Sequence, residues 1–62
     1  MTDETPERFR KFRHDVANPL AALLAEVQLL LLNSERIDPE TLSGLKEVER
    51  LALRMRDLLK NT

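Results

Sequence analysis

Asn33-Ser34-Glu35-Arg36-Ile37-Asp38-Pro39-Glu40 divides the chain into two helical halves. Asn33 to Ile37 loses the apolar period found on either side and supplies turn formers. Asp38-Pro39-Glu40 then reads as a helix start: an N-cap side chain to take up free amides, proline at the first helical position and acid in the first turn. A second helix is predicted over about 39–60, after a loop over about 34–38. Toward the N-terminus, Thr5-Pro6-Glu7 carries the same start signal, which predicts a first helix over about 6–33.

The apolar residues of each half follow helical spacing. At about 100° per residue, Phe9, Phe12, Val16, Leu20, Leu23, Val27, Leu30 and Leu31 share one stripe of the first helix, the predicted core face. In the second helix Leu42, Leu45, Val48, Ala52, Met55 and Leu59 recur at intervals of three and four, and Leu51 and Leu58 widen the seam. A linker of about five residues makes the helices antiparallel neighbours, so the fold class is all-α, an antiparallel helical hairpin forming one domain over 1–62. Leu24, Leu29 and Leu32 fall outside the main stripe of the first helix. A lone hairpin cannot cover them all, and two hairpins about a two-fold axis can, so a homodimeric four-helix bundle is predicted.

Size points the same way. A domain of 62 residues buries only about 60% of the surface its unfolded chain exposes. With no cysteine and one histidine, disulfides and a structural metal are not available, which leaves oligomerisation as the remedy. Apolar residues make up 42% of the chain, charged residues 34%, and the aromatics are two phenylalanines, a helical-bundle composition. Ten basic and eleven acidic residues give a formal charge of −1. They are interspersed, so no basic stripe is offered to nucleic acid or to an anionic membrane, and neither is expected as a partner. No apolar run approaches the roughly 20 residues of a membrane span and no signal peptide is evident, so the expected location is cytoplasmic, including the cytosolic part of a membrane-bound receptor.

Two residues interrupt the helical pattern. Gly44 lies inside the second helix at a cost of about 1 kcal/mol relative to alanine and reads as a surface glycine in preference to a close helix crossing. Pro19 removes an amide and presses on the carbonyl of Asp15. A kink or loosened turn is predicted over His14 to Pro19.

The single histidine falls just before that turn. With Phe9 at the centre of the stripe, His14 lies roughly 140° away and Asn18 roughly opposite, with Ala21 and Ala25 on the same outer side. The short side chains beside the imidazole leave a low surface that a partner could approach. The period alone favours an ordinary surface histidine on an amphipathic helix over a docking site. Imidazole titrates near neutrality, and one ring nitrogen can act as nucleophile while the other keeps a proton.

The window Phe12-Arg13-His14-Asp15-Val16-Ala17-Asn18-Pro19-Leu20 resembles the phosphoacceptor motif of sensor histidine kinases: histidine, acid, two residues, threonine or asparagine, then Pro-Leu. The resemblance covers the whole chain, because that family's dimerisation and phosphoacceptor domain is a long helix with the motif near its start, a short loop and a shorter second helix. It implies that His14 accepts a phosphoryl group from ATP and passes it to an aspartate on a response-regulator receiver domain. Asp15 then orients the imidazole and acts as general base, and Asn18, one turn on, holds a water for dephosphorylation of the receiver. Arg10, Lys11 and Arg13 add positive charge around His14, although charged helix faces are usually just solvated.

The chain has one glycine and no room for a nucleotide-binding domain. No cofactor is therefore expected on it; ATP and Mg are expected on a separate histidine kinase ATP-binding domain and on the receiver. The chain is then part of a kinase and inactive alone, an excised domain in preference to a free-standing phosphotransfer protein. The alternative is a non-catalytic helical-hairpin dimerisation module or kinase inhibitor. A metal-dependent enzyme is disfavoured, since one histidine and scattered carboxylates do not make ligand spacing.

Overall fold

A computed structural model describes residues 6–61. Helix α1 spans Pro6–Leu31, a single 3-10 turn spans Ser34–Arg36, and helix α2 spans Pro39–Lys60. All regular structure among the described residues is helical. The predicted capping residue Thr5 lies outside them.

Local chemistry sets the ends of the helices. Asp38 stands in an extended conformation and its Oδ2 accepts from the Thr41 amide at 3.0 Å, while its own carbonyl accepts from Leu42 at 2.9 Å. With Pro39 in the first turn, which has no amide to satisfy, this is a complete N-cap. Helix α1 tightens as it ends: Leu32 donates to the Leu29 carbonyl at 3.2 Å and Asn33 to that of Leu30 at 3.1 Å. These three-residue steps satisfy terminal carbonyls, so the α-helix closes at Leu31 and the predicted last residues, Leu32 and Asn33, belong to the turn. Arg36 then donates to Asn33 at 2.9 Å and Ile37 to Ser34 at 3.2 Å, which carries the chain to Asp38.

Across Pro19 helix α1 is unbroken. The loss of one amide therefore does not end the helix between His14 and Pro19, and the motif sits on one continuous element.

The two helices pack against each other around Leu20, Leu24 and Ala52, with Leu53 and Leu59 against that cluster and Val27 buried further along. Ala52 is 3% exposed, and its small side chain lets the helices approach. The division of the apolar residues differs from the predicted one. Leu24, placed outside the main stripe, is buried, whereas Phe9, Phe12, Leu23 and Leu30 of the predicted core face remain exposed. Ala17, Leu20, Leu24, Val27 and Leu31 form the line turned toward α2. The exposed line, Phe9, Phe12, Leu23 and Leu30, lies roughly 75° around the helix from it. Helix α2 divides likewise: Leu42, Leu45, Ala52 and Leu59 are buried or half-buried, and Val48, Leu51, Met55 and Leu58 are exposed.

In each helix the exposed line is displaced from the buried one in the same rotational sense. Because the helices run antiparallel, equal senses bring both exposed lines to the same side of the hairpin. One broad face is thus apolar and uncovered.

Candidate functional site

The residues of the phosphoacceptor-like window lie on the first half of α1. His14, Asp15 and Asn18 are all exposed there. Asn18 follows His14 by one turn on the same side. His14 lies on the opposite side of α1 from the exposed line through Phe9, Phe12, Leu23 and Leu30, roughly 175° around the helix. The continuous helix thus carries the imidazole on one side and an apolar surface on the other.

Asp15 has a different partner from the one the resemblance implies. Lys11 Nζ donates to Asp15 Oδ2 at 3.0 Å, an ion pair across one turn. Among the described residues no hydrogen bond joins Asp15 to His14. Neighbouring side chains on a helix diverge by about 100°, so the carboxylate reaches back along the helix to a lysine more readily than sideways to the imidazole.

Two depressions flank this segment. A shallow one is lined by Glu7, Arg10, Lys11 and His14. The other is a groove of about 330 Å³ where the end of α2 meets α1. Ala17, Leu20, Leu24 and Leu59 make its floor, and Arg13, Arg56 and Lys60 stand at its rim. The positions of Ala21 and Lys60 along its wall put it on the side of the hairpin that His14 faces. Ala21, read from the sequence as part of a low surface beside the imidazole, therefore borders a groove with apolar walls and cationic edges. The groove has no local signal in the sequence, because it depends on where α2 ends relative to α1. The Lys11–Asp15 pair was open to discovery from its spacing of four residues.

Two carboxyl groups, one at the start of α2 and one within it, are shifted by their hydrogen bonds. Hydrogen bonds from the Thr41 side chain and amide hold the Asp38 carboxyl below its ordinary range. The Arg50 guanidinium, hydrogen-bonded to Glu47 at 2.6 and 3.0 Å, lowers the Glu47 carboxyl in the same way. Among the described residues no group of three or more histidine, cysteine or acidic side chains is placed to hold a metal ion, and no helix is long and apolar enough to cross a membrane.

Comparison with protein families, curated proteins and solved structures finds no match to this chain.

Proposed function

We propose that this chain is a histidine phosphotransfer segment of two-component signalling, in which two copies form a four-helix bundle and His14 carries the phosphoryl group. The observation that carries the reading is the opposition of two surfaces on α1, with His14 and Asn18 exposed on one side and Phe9, Phe12, Leu23 and Leu30 exposed on the other. A second hairpin seated on the apolar side buries that line together with Val48, Leu51, Met55 and Leu58 and leaves His14 open to other domains.

In this mechanism a ring nitrogen of His14 attacks the γ-phosphorus of ATP held by a separate kinase domain. The bond from phosphorus to the bridging oxygen breaks and ADP leaves. Asp15 takes up the ring proton after turning from Lys11. The phosphoryl group then passes from nitrogen to a carboxylate oxygen of the receiver. The groove beside His14 supports a receiver as the docking partner: its apolar floor suits a partner helix, and Arg13, Arg56 and Lys60 suit the acidic surroundings of a phosphorylatable aspartate. Asn18 holds a water in line with the phosphoaspartate for the reverse, hydrolytic reaction.

One observation favours a second reading. With Asp15 engaged by Lys11, His14 has no carboxylate partner among the described residues, as expected of a surface histidine on a non-catalytic dimerisation hairpin or kinase inhibitor. Incubation with ATP and a histidine kinase ATP-binding domain separates the two: only the phosphoacceptor gains phosphate on His14.

A further inference from the structure

We infer that Lys11 is a positioning residue that restrains the reactivity of His14 by holding the Asp15 carboxylate away from the imidazole, an inference that rests on the phosphoacceptor reading of His14. Lys11 lies three residues before His14 and four before Asp15, so its ammonium reaches the surroundings of both. It contacts Asp15 at 3.0 Å and borders the same depression as His14. Both partners are well exposed, the side chains at 77% and 57%, and lysine N-terminal to the acid is the weaker order for a helical pair. Such a pair breaks readily to salt or to a competing anion. It is an adjustable restraint, and an arriving phosphoryl donor, itself an anion, competes for the ammonium and frees Asp15.

The restraint is measurable with phosphoramidate, a small donor that needs no kinase. A ring nitrogen of His14 forms a bond to phosphorus, the P–N bond of the donor breaks, and ammonia leaves; the proton lost by the other ring nitrogen passes through Asp15 to solvent and ends on ammonia. Initial rates of His14 phosphorylation are compared for wild type, Lys11→Met, Asp15→Asn and the double variant at low salt. Any attraction of Lys11 for the anionic donor enters both backgrounds and cancels in the cycle. The rate gain from Lys11→Met is expected to be about two- to five-fold larger with Asp15 present than in the Asp15→Asn background, to vanish at high salt, and to be absent in Lys11→Arg, which retains the pair. Equal gains in both backgrounds, or a larger one in the Asp15→Asn background, would overturn the inference. Failure of a kinase domain to label His14 would overturn the phosphoacceptor reading and still leave this cycle readable.

Discussion

Leu23 and Leu24 are neighbours in sequence and belong to different surfaces: Leu24 is 7% exposed, packed between the helices, and Leu23 is 50% exposed on the outer apolar face. Their substitution therefore separates the folding of the hairpin from its association. Leu24→Ala is expected to cost about 2–3 kcal/mol, a large share of what so small a core supplies, and to lower helicity and the thermal midpoint. Leu23→Glu is expected to retain helical content at high concentration while shifting sedimentation from about 14 kDa, twice the 7.2 kDa of one chain, toward the monomer. A wild-type protein that sediments as a compact monomer would rule out the four-helix bundle.

Asp38 makes the start of α2 sensitive to acid. Its carboxyl is held below the ordinary range by Thr41, so the folded state favours the ionised form more than the unfolded state does. The contribution of this cap is fully present above the ordinary carboxyl pKa of about 3.9 and is lost as pH falls through the lower folded value. Asp38→Ala is expected to lower the thermal midpoint at neutral pH by a few degrees and to flatten the loss of helicity below pH ~4. Circular dichroism across pH 2–7, a range set by that ordinary carboxyl pKa, reads both effects.

Gly44 meets nothing within 4 Å where a Cβ would stand. Gly44→Ala is expected to stabilise α2 by about 0.5–1 kcal/mol through helix propensity, with the dimer mass unchanged. Gly44 also falls in line with Val48, Leu51 and Met55 on the outer face. A loss of association with a gain in helicity would show that a second copy approaches the backbone there.

How much of this was legible in the sequence depended on the range of the interaction involved. The start of α2 is written in Asp38-Pro39-Glu40 because a cap is made by residues in contact along the chain. The hairpin followed from the break after Asn33. The assignment of individual leucines did not follow, because Leu23 and Leu24 both lie within the broad apolar arc of α1, and only packing against Ala52, Leu53 and Leu59 selects between them. At the candidate site the exposure of His14, Asp15 and Asn18 was legible from the helical period. The Lys11–Asp15 pair was legible as well, since a basic and an acidic residue four apart meet on one helix face. The groove rimmed by Arg13, Arg56 and Lys60 joins residues more than forty positions apart, beyond any local signal.

In the proposed function Asn18 holds a water that hydrolysis needs and phosphoryl transfer does not. Asn18→Ala is therefore expected to slow dephosphorylation of a cognate receiver by about ten-fold or more while changing transfer from His14 to the receiver by less than about three-fold. Single-turnover assays with purified phosphorylated protein resolve the two steps, and an equal loss in both would count against that role.

Labelling with radioactive ATP in the presence of a histidine kinase ATP-binding domain reports whether His14 carries the phosphoryl group. Wild type is expected to gain phosphate that survives base and is released by acid, located at His14 by fragmentation of the labelled peptide, with Lys11→Arg labelled as well and His14→Gln unlabelled. Equal labelling of wild type and His14→Gln, or phosphate that is stable to acid, would contradict it.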